Sequence, residues 1–130
     1  MTQSPEGTLT PAQFEILQLL WDAEAGLSAA EIWEAIRESR DVSRTTISNL
    51  VDRLEKRNWL VRSKEEGVFR YVASVDREAT KGKLAAEFVG DFFNGSAANI
   101  VLSLLGSNQI SSAELKRLKA ILDESKSRKK

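Results

Sequence analysis

The stretch VSRTTISNLVDRLEKRNWLVRSKEEGVFRYVA, residues 42–73, decides the fold because two different periodicities follow one another within it. Ser43 is a favoured helix-capping residue, and it precedes apolar residues at helical spacing: Ile47, Leu50, Val51 and Leu54. Residues 59–64 and 68–73 are β-rich runs separated by the three-residue loop Glu65-Glu66-Gly67. The stretch therefore predicts a helix with one polar face, followed at once by a basic β-hairpin.

Two further helices are predicted upstream. Thr10-Pro11-Ala12-Gln13 combines a Thr N-cap, Pro at the first helical position and a Gln that can close a capping box, and Ser28-Ala29-Ala30-Glu31 is a second such box. Apolar stripes follow both starts, comprising Phe14, Ile16, Leu17, Leu20 and Trp21 in the first helix and Ile32, Trp33 and Ile36 in the second. Three helices and a hairpin in this order are typical of a winged helix-turn-helix, and Gly26-Leu27 is a candidate for a short third strand.

The chain changes character from Asp76 onwards. A helical stretch to about Phe93 is ended by Asn94-Gly95, a nearly all-apolar stretch follows, and Ser111 caps a last helix. Three short helices cannot enclose this much apolar surface alone, so we expect a partner chain to cover it. The predicted fold is mainly α with a small β-hairpin, with residues 1–75 as a winged helix-turn-helix DNA-binding domain and residues 76–130 as a three-helix dimerisation domain. The residues expected at the dimer interface are Phe88, Phe92, Val101, Leu104, Leu105, Leu115, Leu118 and Leu122.

The composition excludes several kinds of chemistry. Cys and His are both absent, which excludes disulfides, thiolate nucleophiles, imidazole bases and nearly all zinc or copper sites. The sequence contains no glycine-rich phosphate loop and no metal-ligand spacing, and the adjacent Glu65 and Glu66 diverge in a turn. We therefore expect no catalytic residue, no metal and no cofactor, and a protein that is not an enzyme. No apolar run approaches the ~20 residues of a membrane span, and the start of the chain lacks signal-peptide features, so we expect a cytoplasmic protein without membrane insertion.

Charge is separated along a chain whose formal net charge is zero. Residues 6–39 contain one basic and seven acidic side chains, net −6, whereas residues 40–73 contain eight basic and five acidic side chains, net +3. The positive segment contains the polar helix face and the hairpin, and these residue types pair with base edges and phosphates. We predict DNA contacts from Ser43, Arg44, Thr45, Thr46, Ser48, Asn49, Arg53 and Lys56 on the helix, and from Arg62, Lys64 and Arg70 on the hairpin.

Other interpretations of the same residues remain open at this point. A polar helix face can simply be solvated, and charged residues can serve only to protect a strand edge. Asp52 on the same face opposes phosphate binding unless it pairs with Arg53 or accepts a hydrogen bond from a cytosine. The alternative function is a winged-helix module that binds a protein with this surface and does not bind DNA. Ionic strength separates the two, because binding to DNA weakens steeply as salt rises.

Three motifs carry a family resemblance: Trp21-Asp22, the segment SAAEI at Ser28 to Ile32, and VSRTTISNLVDRL at Val42 to Leu54. Through them, and over nearly its whole length, the chain resembles the penicillinase-repressor (BlaI, MecI, CopY) family of winged-helix transcriptional regulators. The resemblance implies a homodimeric repressor that binds a pseudo-palindromic operator in double-stranded DNA. It also implies that the two subunits exchange their C-terminal helical segments.

The resemblance further implies a way in which repression is relieved. The β-lactamase repressors of the family are cleaved at an Asn-Phe bond in the C-terminal helices after a membrane metalloprotease senses antibiotic. The aligned position here reads Ser103-Leu104, which makes these residues the equivalent site and a membrane metalloprotease sensor system the implied partner, with another signal as the alternative. Copper-responsive members use a C-terminal cysteine cluster, and this chain has no cysteine.

Overall fold

The computed structural model describes residues 4–128 as six helices and one hairpin. The elements in chain order are α1 (Pro11–Asp22), α2 (Ala29–Arg37), α3 (Arg44–Lys56), β1 (Leu60–Glu65), β2 (Val68–Ala73), α4 (Arg77–Phe92), α5 (Ala97–Gly106) and α6 (Ser112–Arg128). The architecture is mainly helical with a small antiparallel sheet, which confirms the predicted fold class. The chain divides into two compact units, Met1–Lys81 and Gly82–Lys130. The roles predicted for residues 1–75 and 76–130 remain predictions.

The first two helices begin at the capping boxes predicted from the sequence. The backbone N–H of Gln13 donates to Thr10 Oγ1 at 3.2 Å, and Gln13 Oε1 accepts from the Thr10 N–H at 3.0 Å. Ser28 and Glu31 make the same reciprocal pair at 3.2 and 2.9 Å. These bonds satisfy N–H groups that have no partner within the helix, and they fix where each helix starts.

The core lies where α1, α2, α3 and the start of the hairpin meet. Its side chains are all 4% exposed or less, and they are Ile16, Leu17, Leu20, Ile32, Ile36, Ile47, Val51, Leu54, Trp59 and Leu60. The apolar stripes predicted for the three helices supply eight of these ten residues. Because α3 buries only one stripe in this core, its opposite face is left to solvent.

The hairpin connection is shorter than the sequence analysis predicts. Glu65 pairs with Val68, so the loop contains only Glu66 and Gly67, and the predicted three-residue loop is wrong. Both loop residues have positive φ, 49° and 81°, the combination that a two-residue type I′ turn requires. This turn matches the twist of the paired strands, which is why Glu65 continues the ladder instead of joining the loop.

A third segment joins the hairpin, as the sequence analysis anticipated. Leu27 forms an isolated antiparallel bridge with Tyr71, with N···O distances of 3.0 and 2.8 Å. A Cβ at Gly26 would lie 2.8 Å from the carbonyl oxygen of Tyr71, and Gly26 has a φ of 82°. Glycine is therefore required here both for the backbone conformation and for the close approach to β2.

Trp21 and Asp22 join the end of α1 to the segment that opens α4. The indole N–H of Trp21 donates to the carbonyl oxygen of Val75 at 2.9 Å. The guanidinium of Arg77 lies over the Trp21 ring, 5.6 Å from its centroid, and pairs with the carboxylate of Asp22. Trp21 and Asp22 thus fix the junction between β2 and α4, Trp21 through Val75 and Asp22 through Arg77.

The other two tryptophans also hold connecting segments. Trp33 donates its indole N–H to the carbonyl oxygen of Val42 at 2.9 Å, across the turn between α2 and α3. Trp59 donates to the carbonyl oxygen of Glu6 at 2.9 Å and so fixes the segment that precedes α1. Trp59 belongs to the core and Trp33 packs against it, so both are structural residues whose polar N–H has a partner.

The second unit contains most of α4 together with α5 and α6. Asn94 and Gly95, with φ values of 50° and 78°, follow α4 as predicted, and the Gly95 N–H donates back to the Val89 carbonyl. Ser111 Oγ accepts from the Glu114 N–H at 3.1 Å at the start of α6. Within residues 4–128, no single helix has both the length and the hydropathy of a membrane span, and α4 and α5 meet those criteria only when counted together across their bend.

Candidate nucleic-acid interface

The exposed face of α3 contains the helix residues singled out from the sequence. Arg44, Thr45, Thr46, Ser48, Asn49, Asp52, Arg53 and Lys56 are all exposed. Ser43 caps the helix, its hydroxyl oxygen accepting from the Thr46 N–H at 3.0 Å and lying 2.8 Å from the Thr46 hydroxyl. The helix therefore presents amide, hydroxyl and guanidinium groups along one surface while its other side is anchored in the core.

The charges on this face are only partly neutralised within the protein. Asp52 pairs with Lys56 at 3.2 Å, one helical turn away, and not with Arg53 as the sequence analysis considered. No carboxylate in the described part of the chain lies within 4 Å of the cationic groups of Arg44 or Arg53. The carboxylate of Asp52 is thus balanced locally, and the face keeps two guanidinium groups for an external anion.

The inner face of the hairpin adds two cations, Arg62 and Lys64, of which Arg62 lies close to α3. Arg62 and Lys64 lie two positions apart on β1, so their side chains share one face of the hairpin. Their charged groups are 4.2 and 5.6 Å from the centroid of the Phe69 ring. Arg62 Nε also lies 4.0 Å from Glu55 Oε2 on α3, which brings this strand next to the C-terminal half of that helix. Stacking on an exposed aromatic ring restricts both side chains while leaving their charges in solvent.

Arg70 does not join this group. In the strand register Arg70 lies opposite Ser63, whereas Arg62 and Lys64 lie opposite Tyr71 and Phe69. Since neighbouring residues of a strand point to opposite faces, Arg70 belongs to the other face of the hairpin. There its guanidinium contacts Glu31 Oε1 at 3.0 Å, Glu65 Oε2 at 3.5 Å and the Gly26 carbonyl oxygen at 3.3 Å.

Glu31 has a pKa that its surroundings clearly lower. The hydrogen bond from the Ser28 backbone N–H is the main reason that the pKa of Glu31 lies below its ordinary value, and the positive charge of Arg70 acts in the same direction. The carboxylate is therefore held in its ionised form by both the helix cap and the hairpin.

A basic cleft beside α3 includes Arg57, which is not among the predicted DNA contacts. It has a volume of about 440 Å³ and is lined by Thr8, Thr10, Gln13, Arg53, Lys56 and Arg57. Arg57 donates from Nη1 to the Thr8 carbonyl oxygen at 3.1 Å, so it also braces the segment before α1. The only sequence signal for Arg57 is its place in the basic segment 40–73, which does not reveal that the chain start lies beside it.

The second unit exposes the side chains predicted for dimerisation. Phe88, Phe92, Leu104, Leu105 and Leu122 are exposed, Phe92 by 71%, while Val101, Leu115 and Leu118 are half-buried. Leu102 and Ile121, which were not selected, are 63% and 50% exposed. A groove of about 340 Å³ between α5 and α6 is lined by residues that include Val101, Leu104, Leu118 and Ile121. So much exposed aliphatic and aromatic surface is unusual for a domain that functions alone.

Ser103 and Leu104 lie inside α5, and both are exposed. The Ser103 carbonyl accepts from the Ser107 N–H at 3.1 Å, so the bond between Ser103 and Leu104 belongs to a regular helical turn. A protease binds its substrate in an extended form, and this bond would therefore become accessible only when the turn opens.

Comparison with known proteins matches this chain to one family over most of its length. The profile of the family described as penicillinase repressor matches residues 9–124. The methicillin resistance regulatory protein MecI of Mammaliicoccus sciuri is 28% identical over 116 residues, covering 89% of this chain and 94% of that protein. The penicillinase repressor of Bacillus licheniformis is 29% identical over 122 residues, covering 94% of both chains. The penicillinase repressor of Staphylococcus aureus is 26% identical over 116 residues, covering 89% of this chain and 91% of that one.

Solved structures share the fold at lower identity. MepR, a transcription regulator of the Staphylococcus aureus multidrug efflux pump MepA, superposes with a TM-score of 0.50 at 22% identity, covering 94% of this chain and 81% of MepR. The oxidised form of MarR from E. coli gives a TM-score of 0.51 at 18% identity, covering 90% of this chain and 75% of MarR. These similarities support the winged-helix architecture of the described residues.

Proposed function

This chain belongs to the penicillinase repressor family, and we propose that it is a dimeric transcriptional repressor that binds a pseudo-palindromic operator in double-stranded DNA. The observation that carries the proposal is the exposed face of α3, where groove-reading side chains lie beside two stacked hairpin cations. A repressor of this kind acts on the chromosome, so its place of action is the cytoplasm.

Base recognition is assigned to the middle of α3. An Asn side chain such as Asn49 can form two hydrogen bonds with adenine, and the Thr45 methyl group suits the methyl group of thymine. Arg44 near the helix start can form the bidentate pair with guanine. The capped N-terminus of α3 at Ser43 and Thr46 suits a phosphate, because backbone N–H groups and the helix dipole face outward there.

Phosphate contacts are assigned to cations around this helix. Arg53 on one side and Arg62 and Lys64 on the other flank the exposed face and would follow the two DNA strands beside the groove. The exposed Asp52–Lys56 pair is weak enough to open when a phosphate approaches Lys56. These contacts contribute affinity, whereas Asn49 and Arg44 contribute base preference.

A second copy of this chain is the proposed cover for the apolar surface of the second unit. Phe92, Leu102 and Leu105 would be buried between the two copies, and a twofold axis would present two α3 helices to DNA. Two such helices read half-sites about 34–36 Å apart, one turn of DNA, which is why the operator should be a pseudo-palindrome.

Relief of repression is proposed to act through this second unit. Cleavage between Ser103 and Leu104 by a membrane metalloprotease would divide α5 and remove apolar surface from the dimer. Another signal that opens the same helix would have the same effect, because weaker dimerisation lowers the affinity for a two-site operator.

Selection from a pool of random duplex DNA tests the function and requires no assumption about the operator sequence. The purified protein should enrich sequences that contain two inverted half-sites one helical turn apart, and Asn49→Ala should enrich a different or degenerate set. Ser125→Ala, on exposed α6, is the control and should enrich the wild-type set. Absence of any enrichment, combined with no retention of promoter fragments at low salt, would refute DNA binding and favour the protein-interaction alternative.

Leu105→Asp tests the dimer. Burying an unpaired carboxylate against a second subunit is strongly unfavourable, so we expect a monomer in light scattering and much weaker operator binding. Asn99→Asp adds the same charge to α5 at another exposed position and should leave the dimer intact. A Leu105→Asp monomer with undiminished operator affinity would contradict the proposal.

A further inference from the structure

We propose that Arg70 is a positioning residue that fixes the hairpin against α2, and that it does not contact DNA. This inference rests on the proposed function and reassigns a residue whose sequence position favours a phosphate contact. Its guanidinium is occupied by three groups of the same unit: Glu31 Oε1, Glu65 Oε2 and the Gly26 carbonyl. The Arg70 side chain is 33% exposed, less than the 44% of Arg62.

The location of these partners makes Arg70 a link between separate elements. Glu31 is in the first turn of α2, Gly26 is in the connection before it, and Arg70 is in the middle of β2. The Leu27–Tyr71 bridge is the second link across the same gap. Together they set the angle at which the hairpin leaves the three-helix body.

Glu31 is itself held in one orientation, so the link is rigid at both ends. Its Oε1 accepts from the Ser28 N–H at 2.9 Å as part of the capping box and from Arg70 Nη1 at 3.0 Å. A carboxylate oxygen that receives two donors at once cannot rotate without losing one of them. The start of α2 therefore fixes Glu31, and Glu31 fixes Arg70.

The consequence for DNA binding is indirect. Arg62 and Lys64 project from the opposite hairpin face, where Arg62 lies 4.0 Å from Glu55 of α3, so any change in hairpin angle moves both cations relative to the groove-reading helix. Arg70 would thus affect affinity through the placement of other contacts and would not itself displace counterions from the DNA.

Glu31→Gln gives a test in which the two roles of Arg70 predict opposite signs. Gln preserves the capping box, since it also accepts at this position, but it removes the ion pair with Arg70. If Arg70 contacts a phosphate, removing a nearby negative charge frees it and tightens DNA binding. If Arg70 positions the hairpin, Glu31→Gln weakens DNA binding, by about three- to tenfold for a link of the strength of a partly exposed ion pair in each subunit.

Three measurements complete the test, with Glu34→Gln as the matched control because Glu34 forms an exposed ion pair on the same helix. Operator titrations at several salt concentrations should give the wild-type slope for Arg70→Met and Glu31→Gln, and their effects on affinity should not add in the double variant. Relaxation of the ¹⁵N amides at Glu66 and Gly67, without DNA, should report greater hairpin motion in both variants and not in the control. Melting temperatures establish that each variant is folded.

Tighter operator binding by Glu31→Gln would overturn the inference. So would a salt slope that Arg70→Met lowers by about two per dimer, which is the change expected when each subunit loses one phosphate contact. Wild-type relaxation of the Glu66 and Gly67 amides in both variants would also overturn it. Failure of the proposed function would look different. The wild-type protein would then bind no DNA, while the amide relaxation would still report whether Arg70 restrains the hairpin.

Discussion

Replacing Arg62 and Lys64 together by alanine should halve the salt dependence of operator binding. Four exposed cations in each subunit are assigned to phosphates beside α3: Arg53, Lys56, Arg62 and Lys64. If each neutralises one phosphate, a dimer makes about eight contacts, and the slope of log K against log salt is about −7. The double variant retains half of these contacts, and its slope should be about −3.5.

The difference is large enough to measure by fluorescence anisotropy of a labelled operator duplex. Between 50 and 200 mM salt, wild-type affinity should fall by roughly 10⁴-fold and that of the double variant by only about 10²-fold. Discrimination between operator and unrelated DNA should be preserved, because the bases are read by α3. Lys116→Ala with Lys119→Ala removes the same charge from exposed positions on α6 and should leave the slope unchanged. A double hairpin variant with the wild-type slope would refute the assignment of these cations to the DNA backbone.

Three further outcomes follow from the same structure. Ser43→Ala removes the acceptor for the Thr46 N–H and should lower the free energy of unfolding by about 1 kcal/mol in urea titrations, while Ser43→Thr should not. Leu54→Ala empties a fully buried site and should cost about 2–5 kcal/mol in chemical denaturation; a loss below about 1 kcal/mol would show that the core is looser than described. Because folding lowers the pKa of Glu31, its contribution is complete above the ordinary value of 4.5 and is lost as pH falls through the lower folded value. The stability difference between wild type and Glu31→Gln should therefore be constant near neutral pH and shrink in acid, and a difference that changes between pH 6 and 8 would contradict this assignment.

Local patterns predicted the helical part of the fold because the deciding interactions lie close together in sequence. Each N-cap side chain bonds a backbone N–H three positions further on, so Thr10, Ser28 and Ser43 mark helix starts that the structure confirms. The apolar spacing of α3 identified both its buried side and, by exclusion, its exposed one. The hairpin was recognised, but its turn was not, since that depends on Glu66 adopting positive φ.

The candidate site was less predictable because it depends on contacts between distant residues. Arg62 and Arg70 are equally basic hairpin residues in the sequence, and only the strand register separates their faces. Glu31, one partner of Arg70, is 39 positions away from it, and Thr8, a partner of Arg57, is 49 positions away. Such distant pairs leave no periodic pattern in the sequence. The sequence of one chain likewise does not show which surface of a second copy its apolar helices contact.

The three tryptophans supply built-in spectroscopic reporters. Each indole N–H bonds to a different connecting segment, at Val75, Val42 and Glu6, so fluorinated tryptophan should give one NMR resonance for each junction. Titration with operator, or treatment with an inducing signal, could then be followed at the α1–α4 junction, at the helix-turn-helix corner and at the N-terminal segment in one spectrum. A disturbance that begins near α4 and spreads toward α3 would reveal its route by the order in which the three signals move.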